Sequence, residues 1–169
     1  MMLTRNNVYL KIPMFEELCF TEELLACEET MAFNNDWGGT VAFPREKWSS
    51  FYDNYINNDQ RYYYHIYDLS GFPVGEVSTR FDTKYNSYVL NIKVKHEFRN
   101  RHYAKDALFV FLDHLFNKCD INKMVDHVAT NNVSAIKFLQ KMLFTIEKSD
   151  NIITLMVLHK SDWNKMMKK

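Results

Sequence analysis

Apolar residues recur along this chain with two different periods, and the switches between them divide it into elements. From Tyr88 to Lys95, Leu90, Ile92 and Val94 alternate with polar positions, the period of a strand with one buried face. After a charged loop the period becomes 3.6. Ala104, Ala107, Leu108, Phe111, Leu112, Leu115 and Phe116 form one apolar stripe, which predicts a helix over 104–118. The same reading upstream gives a strand over 8–12 ended by Pro13. A first helix follows, capped by Thr21 and running through Leu24, Leu25, Glu28 and Met31. Residues 33–39 break it. Pro44 opens a second helix at its first position, with Trp48, Phe51, Tyr52 and Tyr55 as an aromatic stripe. The β-prone run 62–67, a turn at 68–71 and a strand over 74–81 make a hairpin, and a second polar turn leads into the strand from Tyr88. Downstream come a strand over 123–129, a helix over 133–142, and strands near 144–148 and 152–158. The order is β-α-α-β-β-β-α-β-α-β-β, an α/β (α+β) fold in one domain spanning residues 1–169.

The loop between the Tyr88 strand and the long helix carries Arg99 and Arg101 and delivers a run of backbone N–H groups to the helix start. Unpaired donors and the positive end of the helix dipole make such a place an anion site, suited to phosphate. Elsewhere charge adds little: 21 Lys and Arg balance 21 Asp and Glu, giving no basic excess of the kind nucleic-acid binding shows. The exception is local. Residues 16–36 hold Glu16, Glu17, Glu22, Glu23, Glu28, Glu29 and Asp36 with no lysine or arginine, either a solvated helix face or a field that attracts a cationic amine. Cys19, Cys27 and Cys119 lack metal-ligand spacing, so no metal is expected, and their odd number fits reduced thiols in a cytoplasm. No signal-peptide pattern or apolar run of membrane-spanning length occurs, so neither secretion nor a membrane is expected.

The stretch Val94-Lys95-His96-Glu97-Phe98-Arg99-Asn100-Arg101-His102-Tyr103-Ala104 resembles motif A of the GNAT superfamily of N-acetyltransferases, with Arg99 and Ala104 in register and His102 at the central glycine. Asn132-Val133-Ser134-Ala135 and the helix ending at Leu143-Phe144 resemble motif B; Asn132, Ala135 and Phe144 match and Leu143 takes the glycine's place. The resemblance covers residues 61–158. It implies a mixed, largely antiparallel sheet of six to seven strands flanked by helices, splayed between the fourth and fifth strands. The implied activity is acetyl-CoA-dependent transfer to a primary amine by direct attack, with a small molecule or protein amine as acceptor, and a homodimer is allowed. The implied alternative is a non-catalytic domain that binds acyl-CoA or a protein partner.

By the same resemblance, Ile92, Lys93 and Val94 border the pantetheine arm. The N–H groups of Asn100, Arg101, His102, Tyr103, Ala104 and Lys105 take the phosphates, Arg99 adds charge, and Asn132 contacts the arm while capping its helix. Glycine at position 102 would let the backbone approach the phosphates closely, and a side chain there blocks it unless the backbone stays right-handed and the imidazole points outward. The tyrosine that serves many members as acid is Leu139 here. Glu76, next to Gly75 in the third strand, is the candidate base, weighed against an outward-facing surface carboxylate. His96 and His127 are weaker candidates, read as a loop residue and a satisfied strand residue.

Overall fold

A computed structural model describes residues 2–168. Eight strands form one sheet in the order β1-β2-β3-β4-β5-β6-β8-β7: β1 (Met2–Arg5), β2 (Val8–Lys11), β3 (Arg61–Asp68), β4 (Pro73–Asp82), β5 (Ser87–Val94), β6 (Lys123–Ala129), β7 (Thr145–Ser149) and β8 (Ile153–His159). The β1–β2, β2–β3, β6–β8 and β7–β8 pairs are antiparallel, and β5 pairs with β6 in parallel at Tyr88↔Met124 and Val89↔Val125. The architecture is therefore the mixed α/β one expected, with one strand more. That strand, β1, folds back on β2 through Asn6, whose φ of 42° is the left-handed conformation asparagine tolerates in tight turns.

The chain divides into two compact units. One comprises residues up to Ser78 together with Ile92–Phe111; the other comprises Thr79–Asn91 and residues from Leu112 onward. The first contains α1 (Leu18–Ala26), the short α2 (Glu28–Met31) and α3 (Trp48–Phe51), which continues as a π turn over Tyr52–Ile56. Its helical part is more broken than the sequence pattern indicates. Thr21 lies inside α1 and is buried, so it does not cap; Pro44 precedes a 3-10 turn with ψ of 160° and is not helical. The aromatic stripe does pack as a core: Trp48 and Phe43 are buried with Leu18, and Phe51 and Tyr52 pack against them.

The long helix α4 (Tyr103–Lys118) contributes to both units. Ala107, Leu108, Phe111, Leu112, Leu115 and Phe116 are all fully buried, as the 3.6 period requires. In the second unit Val89, Val125 and Val157 form a cluster on one face of the strands. α5 (Val133–Lys141) connects β6 to β7, and a last helix, α6 (Lys160–Met167), follows β8. The sequence pattern does not signal α6, because Trp163 is its one buried residue. Among the described residues no helix is long and apolar enough to cross a membrane.

Candidate functional site

The loop before α4 is where the backbone departs from ordinary conformations. Asn100 has φ of 62° and His102 φ of 65°, while Arg101 between them does not share the positive φ. Alternation of sign along successive residues turns consecutive N–H groups toward one side, the geometry of an anion-binding nest. His102 therefore does not have the right-handed backbone that would keep a side chain clear of the phosphates. It occupies the left-handed region that glycine serves in the motif, at a steric cost of about 1–2 kcal/mol for an L-residue. The α4 hydrogen-bond ladder begins with Asp106 N–H donating to the His102 carbonyl at 3.0 Å, which leaves the N–H groups of Tyr103, Ala104 and Lys105 without intrahelical acceptors. Arg101 and Tyr103 border an open depression of about 340 Å³ with Asn7, Asp68, Leu69 and Ser70. Arg101 also stands 5.5 Å over the Phe98 ring. Arg99 is partly committed: its guanidinium donates to the Thr30 carbonyl at 2.7 Å.

The motif B glycine position behaves in the same way. Leu143 has φ of 70°. Its N–H donates to the Gln140 carbonyl and that of Phe144 to the Leu139 carbonyl, both at 3.0 Å, which together make the Schellman closure of a helix C-terminus with leucine in the seat of glycine. At the other end of α5, Asn132 Oδ1 accepts from the Ala135 N–H at 3.2 Å and from Ser134 Oγ at 3.0 Å, so the asparagine is the cap its position suggests. Leu139, in the place of the helix tyrosine, is buried.

Glu76 lies in β4 and is 3% exposed, so it is not an outward-facing surface carboxylate. Its Oε1 accepts from Lys93 Nζ at 2.6 Å and its Oε2 from the Tyr63 hydroxyl at 2.5 Å. Burial alone would raise this carboxyl; the Lys93 ammonium and the Tyr63 hydroxyl outweigh it and hold the group below its ordinary value, ionised at neutral pH. Lys93, read as a cofactor contact, thus gives its side chain to Glu76. Only its backbone is left for another partner. The Lys93 carbonyl also lies 2.2 Å from where a Cβ on Gly75 would stand, so the approach of β5 to β4 requires glycine at 75.

The hydrogen bonds continue inward with one defined direction. The single Tyr63 proton goes to Glu76, so the 2.9 Å contact between Thr21 Oγ1 and the Tyr63 oxygen has Thr21 as donor. Thr21 must then accept from His65 Nε2 at 2.9 Å, which fixes His65 as the neutral Nε2–H tautomer. Its Nδ1 is buried without a partner among the described residues. Burial lowers His65 to about 4, and burial with the Glu76 charge raises Tyr63 well above the ordinary phenol value. Every proton donor in this row points toward the carboxylate.

The second unit holds a carboxyl that sequence reasoning missed. Asp126 is a half-buried residue of β6, and burial pushes its carboxyl up to about 7 against a bond from the His127 N–H. The missed signal was an acid at an interior-facing strand position. His127 is not a satisfied strand residue: its Nε2 is buried without a partner among the described residues, and its ring lies 4.7 Å from that of Tyr85. His96 is exposed and opens a short 3-10 turn, His96–Phe98, within the connection from β5 to α4. Of the acids in 16–36, Glu16, Glu17 and Glu23 are taken by Arg45, Lys11 and Lys95.

Comparison with known proteins adds the following. A family model described as an acetyltransferase (GNAT) domain matches residues 15–145. No curated protein matches the sequence. Among solved structures, spermidine N-acetyltransferase from Vibrio cholerae, in complex with CoA and spermine, superposes with a TM-score of 0.81 at 17% identity, covering 95% of this chain and 99% of that one. An acetyltransferase of the GNAT family from Bacillus anthracis gives a TM-score of 0.77 at 12% identity, with 95% and 99% covered.

Proposed function

The chain belongs to the GNAT acetyltransferase family, and from that premise we propose that it transfers the acetyl group of acetyl-CoA to a cationic primary amine. The observation that carries the reading is the loop at 99–105: a glycine-like backbone at Asn100 and His102, followed by three helix-start N–H groups and flanked by Arg101. These groups are proposed to hold the CoA pyrophosphate. Beyond Val89, the last β5 residue paired with β6, the main chain of Ile92, Lys93 and Val94 is the proposed guide for the pantetheine arm.

In the reaction a neutral amine nitrogen attacks the thioester carbon, the carbon–sulfur bond breaks, and the leaving thiolate takes a proton from water. No covalent enzyme intermediate is required. Glu76 is the proposed final acceptor of the amine's proton. Both its oxygens are engaged, so the proton reaches it through the Tyr63 hydroxyl or one water. For the acceptor class, Glu22 and Glu28 form no ion pair among the described residues and supply local negative charge, and the similar Vibrio protein is a spermidine N-acetyltransferase. A reduced, cytoplasmic setting suits the three free thiols.

A second reading, acyl-CoA binding without turnover, is favoured by Leu139 in the place of an acid and by the enclosure of Glu76. Both readings require cofactor binding, so titration with acetyl-CoA by calorimetry comes first. Saturable binding that weakens in Arg101→Ala is expected. A charge-assisted phosphate contact is worth about 1.5–3 kcal/mol, less where water screens it as at this exposed side chain. No heat at millimolar acetyl-CoA would rule out both.

A further inference from the structure

Residues distant in sequence bring one sulfur, one nitrogen and one oxygen together in the first unit. Cys27, between α1 and α2, has its Sγ 3.4 Å from His96 Nδ1 and 3.5 Å from Glu29 Oε2. The three atoms all lie within 4.8 Å of one another. A tetrahedral Zn²⁺ bonded to sulfur at about 2.3 Å and to nitrogen and oxygen at about 2.0–2.2 Å sets its ligand atoms about 3.5 Å apart. The two separations from sulfur are edges of such a tetrahedron.

The two segments are also joined through a fourth residue. Thr30, fully buried, donates from Oγ1 to Cys27 Sγ at 3.2 Å and accepts on the same oxygen from the His96 N–H at 3.1 Å, while its carbonyl takes the Arg99 guanidinium. One buried threonine thus positions both the sulfur and the backbone of the histidine, the supporting role that second-layer hydrogen bonds play around metal ligands. Glu29 and His96 are exposed and Cys27 is partly so, which leaves a path for an ion.

We propose that Cys27, Glu29 and His96 form a site for one Zn²⁺ ion that links α2 to the loop preceding α4. A thiolate, a carboxylate and a neutral imidazole balance the dication. Binding breaks the Cys27 S–H bond, the proton passes to solvent, and the sulfur electron pair forms the bond to zinc. The imidazole donates the Nδ1 lone pair with its proton on Nε2. Three protein ligands leave a fourth position to water. Sulfur and nitrogen donors select zinc over Mg²⁺ and Ca²⁺, which prefer oxygen. The site stands apart from the acetyl-transfer reading, because its test reads the metal and not turnover.

The test uses the full chain, kept reduced, stripped with a chelator and titrated with ZnCl₂ by calorimetry and with CoCl₂ by absorption. One Zn²⁺ per chain is expected, with an intense near-ultraviolet thiolate-to-cobalt band and no heat from MgCl₂. Cys27→Ser and His96→Asn, shown by circular dichroism to be folded, should each abolish the band or weaken zinc binding by at least about tenfold. Cys119→Ser is the control, since Cys119 Sγ also lies 3.4 Å from a histidine nitrogen, Nε2 of His114. It should bind zinc like the parent chain. Absence of saturable zinc binding, an unchanged cobalt band in Cys27→Ser, or loss of binding in Cys119→Ser would each overturn the proposal.

Discussion

Lys93 and Glu76 form an ion pair whose side chains are 9% and 4% exposed, and the Tyr63–Thr21–His65 row terminates on it. Removing one partner leaves a buried charge without compensation, so Lys93→Met is expected to cost about 3–5 kcal/mol. The double variant Lys93→Met/Glu76→Gln should recover most of that loss in urea denaturation. His65 contributes to the acid limb. Its native value of about 4 lies below the ordinary 6.5, so above pH 6.5 it has no effect on stability. As pH falls toward 4 the unfolded chain takes up a proton that the native state refuses, a loss of roughly 3 kcal/mol. Glu76, itself held below its ordinary value, loses its contribution only at lower pH. His65→Gln should therefore remove this loss and leave the opposite trend of Asp126, whose carboxyl, raised to about 7, binds its proton in the native state first. A stability difference between variant and parent that does not change between pH 6.5 and 4 would place the acid limb elsewhere. Glu76 could be picked out in the sequence as a carboxylate inside a strand beside glycine. Its partners could not, because Tyr63, Thr21 and Lys93 meet only once three separate segments have packed.

At the scale of elements, the two departures from the motif glycines preserve what glycine does. Leu143 closes α5 in the left-handed conformation, and both Leu143→Gly and Leu143→Ala lose its side-chain contacts. Only glycine relieves the strain, so Leu143→Gly should be more stable than Leu143→Ala by about 1 kcal/mol, the relief being partly offset by glycine's entropy in the unfolded chain. Equal destabilisation in both would mean that packing, not backbone conformation, fixes this residue. Strong periodicity made α4, α5 and the strands from β3 to β6 readable in the sequence, because each carries an uninterrupted apolar face. β1 alternates over only four residues, and α6 buries a single tryptophan, too little pattern to detect. Thr21 reads locally as a cap, but tertiary packing makes it an interior hydrogen-bonding residue. The φ values at 102 and 143 were hidden for the opposite reason: histidine and leucine do not advertise a left-handed backbone.

For the molecule as a whole, the fold is that of an acetyltransferase, and the acid–base assignment is where family resemblance and this chain diverge most. Glu76→Gln keeps the side chain's shape and should leave acetyl-CoA affinity unchanged. If Glu76 receives the amine's proton, turnover should fall by about 10²–10⁴-fold near neutral pH, and the deficit should shrink as pH rises and more acceptor is already neutral. A loss independent of pH would assign Glu76 to holding the acceptor in position. The central claim, acetyl transfer to a cationic amine, is tested most directly by measuring CoA thiol released from acetyl-CoA with and without spermidine. Release that depends on the amine, saturates with it and yields acetylated amine by mass spectrometry is the predicted result. Bound acetyl-CoA with no thiol released above spontaneous hydrolysis, across spermidine and a panel of other primary amines, would contradict it.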